Sequence, residues 1–461
     1  MNENAREMSG AGVRTLLSWA ANFRDHTLPE DVLRRAALVL ADDLAAIVAA
    51  RAQPEVVAFQ DLVLAKTARR ESTVFRGGRP RTDRLWAAVA NGIAADWLEL
   101  DEGYRKTPCH AGLYVLPALL AEAEAGTARV DDVLRILAVA YEVVTRIARG
   151  WVAPDISMHA HPRYAAIGAA TAASLMRGHD GDAVVLAVSG ASTLISPGPR
   201  DHAVRGALIR NAWPAIGAWS GMMSADLASC GIGGLAESPH DVFATVLGGR
   251  PQPSALTEGL GSQWAVLDGY TKLHACCQQT HSAVESVLEL NFDRAAKSLH
   301  AIEEIVVETH PFGMPLQNYD PPTTLAAKFS LPHVVATAFA HGHAGADAFA
   351  AATLTDATIG ALRKKVRVVP FLPLPGPPND RPARIRVRLA DGTELSSQCL
   401  SAQGGPDRPF PPETLVEKVR ALTSAAYPNL APVLMRIAAL DPRALAQSWS
   451  DTVTEICGEP A

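Results

Sequence analysis

The sequence predicts a mainly α-helical protein with an α+β lid: a large all-helical domain formed from both chain ends, plus an inserted, smaller α+β domain. Three observations carry this expectation. Up to about residue 270 the chain is a series of Ala- and Leu-rich runs of helical period, separated by polar loops. Near 270 the texture changes to short Ile- and Val-rich runs punctuated by proline clusters. From 413 onward the helical period returns. The expected parts are therefore a helical domain over 1–268, a lid over 269–402 and a second helical part over 403–461.

Taken in order, Leu28-Pro29-Glu30-Asp31 after Thr27 is a helix start, with a capping residue, a proline near the first turn and then acids. Residues 85–100 are apolar and small, break into a polar loop at 101–110, and resume at 113–125. A further amphipathic helix is expected over 130–149. A second polar loop, 154–164, leads into the Ala- and Gly-rich run 165–176, whose small residues fit a buried helix in close contact with its neighbours. A third polar loop spans 196–210 and leads into a helix over 211–224. In the lid, 302–309, 365–370 and 384–389 read as strands. The last is followed by Ala390-Asp391-Gly392-Thr393, a hairpin signal, and a return strand through Leu395. Each polar loop enters a helix, so loops meeting on one side of the helical core would build a shared pocket.

Composition narrows the function. A chain of 461 residues, 48% hydrophobic and 20% charged, is globular and buries a large core without disulfides. A formal net charge of −6 argues against nucleic-acid and polybasic membrane-surface partners. The six cysteines form no CxxC pair, which points to a reducing compartment and a cytoplasmic protein. No uninterrupted apolar run long enough to span a membrane occurs, and residues 1–14 lack the apolar core of a signal peptide. There is no GxSxG elbow, no GxxxxGK[ST] phosphate loop and no HExxH, and the glycines at 231–234 do not sit in a strand-to-helix unit.

Chemistry concentrates in four polar segments. Lys272–His281 places a lysine, His274, Cys276, Cys277 and His281 within ten residues, just before an apolar helical run. Such a turn suits an anionic substrate: the lysine supplies charge and histidines move protons near pH 7. The histidines and cysteines do not match structural-zinc spacing, so no metal is expected. Glu99 and the 101–110 loop bring acids up to His110, and acids can orient or tune a histidine base. His159 reads as a proton donor or acceptor facing the pocket, and His161 as a surface-loop histidine. Arg205 reads as a carboxylate clamp, because a guanidinium fork matches a carboxylate.

Together these segments resemble the MmgE/PrpD family. Asn91-Gly92 through Asp101-Glu102 is similar to the family's segment of that order. His110-Ala111-Gly112 followed by Val115-Leu116-Pro117-Ala118 resembles its "HPG…VLPA". His159 followed by Gly168-Ala169-Ala170 matches its "H-x8-GAA" spacing, and Lys272, Cys276, Cys277, Thr280 and His281 resemble its "K-x-Y-P-C-C-x-x-T-H". Ala327-Lys328-Phe329-Ser330 resembles "AKFS", and Gly405-Pro406 to Lys418 its closing motif. The resemblance implies a homodimer and metal- and cofactor-free chemistry on a small di- or tricarboxylate. That chemistry is dehydration or decarboxylation by a lyase, or alternatively isomerisation or epimerisation; a catalytically silent binding protein is a third possibility. It further implies that His110 and His159 are the acid/base pair, that Lys272 reaches in from the lid, and that Glu99 and Asp101 line the pocket. Several positions depart from the family pattern, among them Glu99 and Glu102 where members often have Asp, and Leu273 and His274 at aromatic positions. Gly103 stands where decarboxylase-like members have a pocket threonine, Arg205 is the best match for a third-loop lysine, and Cys277 replaces a histidine of the decarboxylases.

Overall fold

The computed structural model describes residues 3–23, 26–290, 292 and 299–458. At its centre two helices cross, Ala160–Met176 and Trp213–Ser229. Both are built largely from Ala, Gly and Ser, and their backbones nearly touch. A Cβ on Gly221 would lie 2.4 Å from the Ala166 carbonyl oxygen, and one on Gly217 would lie 2.3 Å from Ala165 Cβ. Ala111–Ala125 packs on the other side of Ala160–Met176, where the absence of a side chain at Gly168 admits the Tyr114 backbone. Arg84–Trp97, Val130–Gly150 and Glu30–Ala49 complete the surrounding layer.

The chain end returns to this body. Pro412–Thr423 and Leu430–Ala438 pack on Glu30–Ala49, and Trp449–Cys457 packs on Ala111–Ala125. Trp449 is fully buried, and Tyr427 Oη accepts from Gly77 N at 2.8 Å while donating to the Gly78 carbonyl at 2.9 Å.

Between the two helical parts lies a four-stranded sheet in the order Glu394–Cys399, Ala383–Leu389, Ile302–Thr309, Val366–Pro370. The last two strands are parallel, with Ile305 opposite Val366, and the crossover between them carries helices Leu331–His341 and Ala357–Lys365. The other pairs are antiparallel, with Val307 opposite Ile385 and Glu394 opposite Arg388. Strict alternation puts Ala383, Ile385, Val387 and Leu389 into the core, while Arg386 and Arg388 face solvent beside Glu308, Glu303 and Glu304. Helix His281–Glu289 covers the inner face of the hairpin, whose turn places Gly392 at φ 82°.

The observed elements follow the predicted pattern with small differences. The 28–31 helix start is capped by Pro29, with no side-chain cap. Thr27 plays no part; Asp31 instead accepts a backbone bond from Val32 N at 2.9 Å. The 196–210 loop contains a short helix, Asp201–Arg205, and a 3-10 turn, Leu208–Ala212. A two-residue pairing of Gly103–Tyr104 with Gly269–Tyr270 ties the first polar loop to the segment carrying Lys272. No helix among the described residues is long and apolar enough to cross a membrane.

The central crossing is the testable feature. Gly221→Ala must push against backbone, so it should destabilise by about 1–3 kcal/mol. Gly376→Ala, with nothing within 4 Å of the new Cβ, should stay within about 0.5 kcal/mol. Thermal unfolding of the two variants would measure this, and equal midpoints would rule out the close crossing.

Candidate active site

The site is organised by the buried loop that follows Arg84–Trp97. The Leu98 and Glu99 N–H groups turn back to the Asp96 carbonyl of that helix, and side chains satisfy polar groups farther along. Lys328 Nζ donates to the Trp97 carbonyl at 2.8 Å, and Lys418 Nζ donates to the Leu100 carbonyl at 3.0 Å while pairing with Asp42. The Glu102 N–H donates to Asp43 Oδ1 at 2.9 Å. Held at both ends, the loop places Glu99 in the left-handed region at φ 56°, a conformation costly for a residue with a Cβ.

His110 lies at the N-cap position of Ala111–Ala125. Its Nδ1 is 2.6 Å from Asp101 Oδ2. A carboxylate only accepts, so Nδ1 carries a proton, and Nε2 is left without a hydrogen-bond partner among the described residues. The ring lines the cavity and is one-sixth exposed, whereas Asp101 is fully buried behind it. Asp101 thus orients His110 and does not itself form the wall. Its other oxygen is 3.4 Å from Lys272 Nζ, which also lies 3.8 Å from Glu99. Burial alone would raise the Asp101 carboxyl; Lys272 and His110 outweigh it and hold it well below the usual range. Burial would likewise lower the Lys272 ammonium, but Asp101 and Glu99 push it up.

His159 caps Ala160–Met176, its Nδ1 accepting from His161 N at 3.2 Å. Its Nε2 lies 3.4 Å from the Arg210 guanidinium, so both ring nitrogens face donors. Burial, then the neighbouring His161 and Arg210, keep its pKa well below the ordinary value, so the ring is uncharged at pH 7. His161 is not a surface-loop residue. It is fully buried, with Nδ1 2.9 Å from Tyr114 Oη and Nε2 3.2 Å from Asp96. Helix geometry decides this: two residues past the cap, it points inward. Its ring stands between the other two imidazoles, with centroids 4.9 Å from His110 and 4.3 Å from His159.

The arginine by which the third loop enters the cavity is not the one predicted. Arg205 is four-fifths exposed and pairs with Asp201 one helical turn earlier. The short helix Asp201–Arg205 ends at Gly206 in the left-handed conformation, which leaves Arg205 on its outer side. Arg210, five residues later in a 3-10 turn, is the residue that enters. It pairs with Asp96 at 2.6 Å and with Glu99, lies 3.4 Å from His159 Nε2, and stacks 5.2 Å from the Phe329 ring centre. Gly103 is also outside the wall, because its strand pairing with Tyr270 fills the space a side chain would need. A Cβ there would lie 2.2 Å from Tyr270 Oη, and Tyr270 itself lines the cavity.

The cavity encloses about 1010 Å³, including its open mouth. Glu99, His110, His159, Lys272 and Cys277 all reach it, so the loops read as separate in the sequence do converge. Arg163, Arg200, Arg210, Lys272 and Arg381 line it against only two carboxylates, Glu99 and Asp155, so the cavity favours an anionic ligand. Cys277 is half-buried at its edge; burial, then Glu99, raises the thiol pKa. Oxygens of Asp96, Glu99 and Asp101 lie within 4.8 Å of one another, the one such metal-donor grouping among the described residues. They already face Arg210 and Lys272, so a cation would have to displace two side-chain charges.

Several of these residues carried little signal in the chain. Asp96 is an acid inside an apolar, small-residue run, which is a usable hint. Arg163 and Arg381 look like ordinary surface arginines. Lys328 and Lys418 stood out only as parts of motifs.

Fold and site together define a helical protein with an inserted sheet and a cation-lined, histidine-bearing cavity where the two meet. The MmgE/PrpD N-terminal domain matches residues 14–252 and the MmgE/PrpD C-terminal domain matches residues 274–435; the chain belongs to the MmgE/PrpD family. It is 26% identical over 439 residues to the cis-aconitate decarboxylase-like protein oryM of Aspergillus oryzae, covering 89% of this chain and 90% of that one. It is 23% identical over 458 residues to a cis-aconitate decarboxylase of Aspergillus terreus, covering 92% and 91%.

Behind His110, Glu102 accepts from Gly112 N at 2.6 Å and from Tyr141 Oη at 2.9 Å. Burial nevertheless raises its carboxyl to about 7. The folded protein therefore holds a proton that the unfolded chain releases. This contribution is complete below the unfolded value near 4.5 and is lost as pH rises through about 7. Glu102→Gln keeps an acceptor for Gly112 and a partner for Tyr141. Its thermal midpoint should fall less than that of the wild type between about pH 5 and pH 8. An unchanged slope would mean that Glu102 is ionised in the folded state.

Proposed function

We propose that the chain is a lyase that decarboxylates or dehydrates a small polycarboxylate by moving a proton at a carbon next to a carboxylate. The observation that carries this is His110: Nδ1 tied to a buried carboxylate, Nε2 free, in a cavity where cations outnumber acids. In a decarboxylation, the C–CO₂ bond breaks and its electron pair becomes an allylic carbanion spread into the neighbouring carboxylate. His110 as imidazolium, stabilised by Asp101, then delivers a proton to carbon from Nε2. In a dehydration, the same nitrogen starts neutral and takes the proton before hydroxide leaves. The neutral His159 donates its ring N–H to the enolate oxygen, and Arg210 and Lys272 stabilise the charge that develops there. The names of the two fungal relatives favour decarboxylation of a tricarboxylate. The donors above are side chains, so the proposed steps use no metal or cofactor.

Metal-chelated protein in D₂O should convert cis-aconitate with deuterium incorporated at carbon, read by proton NMR. His110→Ala should lose about 10²–10⁴-fold in rate, with a similar loss for His159→Ala, while the helical signal is retained. Absence of both turnover and exchange with cis-aconitate, citrate, 2-methylcitrate and amino-dicarboxylates would refute the reading.

The lyase is further proposed to act as a homodimer. Ile209, Ile216 and Trp219 are 58%, 45% and 41% exposed along one stretch, more apolar surface than a monomer's helix face needs. Light scattering should give twice 48.8 kDa; a monomeric mass at micromolar concentration would dismiss the dimer.

A further inference from the structure

Three tyrosines line the cavity, and their hydroxyls differ. Tyr104 Oη is sealed beneath other atoms. The Tyr164 hydroxyl interacts with the adjacent Arg163. Tyr270 Oη is not sealed in this way, and it has no hydrogen-bond partner among the described residues. Burial raises the phenol pKa, so at pH 7 the hydroxyl keeps its proton and stands as an unused donor on the cavity wall.

Tyr270 is held close to His110. It pairs with Gly103 in a two-residue antiparallel contact, which ties it to the loop that leads to that histidine. The two rings stand edge to face, with centroids 6.5 Å apart and planes at 79°. Lys272, two residues further on, also reaches the cavity, so one segment delivers a hydroxyl and an ammonium to the same space. Gly103 is what admits the hydroxyl. A Cβ there would lie 2.2 Å from Tyr270 Oη and 2.3 Å from its Cζ, so a side chain at 103 would displace the ring. Backbone conformation does not call for this glycine, because Gly103 is not among the residues at positive φ. The tyrosine does.

We propose that Tyr270 is a further catalytic residue, whose hydroxyl donates a hydrogen bond to the substrate carboxylate that takes up negative charge as the proton or CO₂ leaves the neighbouring carbon. The proposal rests on the lyase reading above and adds a donor to it. That carboxylate stays on the product in dehydration and in decarboxylation alike, so the group bonded to it need not release it during the step. The phenol keeps its own proton throughout. Its hydrogen bond strengthens as the charge on the carboxylate grows, which favours the transition state over the bound substrate.

Steady-state kinetics with cis-aconitate test this. Tyr270→Phe removes one oxygen and keeps the ring. Its kcat should fall at least about tenfold while KM moves less than about threefold, the pattern of a contact made mainly in the transition state. Gly103→Ala keeps the hydroxyl but drives it from its place. The clash is with the end of a side chain, so the fold can yield there. This variant should show a similar loss of kcat, and the double variant should be no slower than the slower single one, because both remove the same contact. An unchanged kcat in Tyr270→Phe would overturn the role, as would a change in KM alone or losses that multiply in the double variant. A lowered thermal midpoint with kcat per folded enzyme unchanged would mean a structural tyrosine and would overturn it too. Wild-type turnover alongside any of those results would leave the lyase reading standing. A wild type that converts neither cis-aconitate, citrate, 2-methylcitrate nor an amino-dicarboxylate would overturn both.

Discussion

The structure depends on satisfying one buried loop. Residues 98–102 run through the interior with a dense set of acids and with backbone carbonyls outside any helix or sheet. Every group that balances them comes from elsewhere in the chain: Arg210 from the third loop, Lys272 and Lys328 from the sheet-bearing part, Lys418 from the returning C-terminal helices. An unmatched carboxylate or carbonyl at this depth would be strongly destabilising. The same contacts that stabilise the loop therefore also bring the two ends of the chain and the inserted sheet onto one another. In this protein the junction between parts and the functional site are one feature.

That arrangement separates two uses of positive charge. Cations paired with the protein's own carboxylates hold groups in place and keep Asp101 ionised against the pull of burial. Cations without such partners leave the cavity with an excess that an incoming anion can neutralise. The histidines divide in a similar way. Asp101 accepts from His110 at Nδ1, whereas His159 accepts at Nδ1 from a backbone N–H, so two identical side chains enter the cavity with different partners. Sequence-adjacent His161 contributes packing and a link from Asp96 to Tyr114.

Close backbone packing supports this precision. The glycines and alanines of Ala160–Met176 and Trp213–Ser229 let the helices that carry His159 and follow Arg210 approach to contact distance. A site held on such helices loses little through loop motion, whereas Arg381 reaches the cavity from a proline-rich connection between strands and needs Arg105 and Ser282 to hold it.

Local pattern alone determined much of this protein. Helical period, strand alternation and the Asp391-Gly392 turn marked the body, the inserted sheet and the hairpin, because those signals are set by neighbours along the chain. His110, His159, Lys272, Glu99 and Cys277 were legible in the sequence and reach one cavity, with Asp101 behind His110. Only the tertiary structure decided which arginine enters. Arg205 and Arg210 are chemically equivalent in the sequence, and a single left-handed glycine between them turns one outward and the next inward. It also decided that His161 is buried, that Asp101 stands behind His110, and that Arg163, Arg200 and Arg381 line one cavity. Counter-ions and burial are relations between distant segments, and a linear pattern does not contain them.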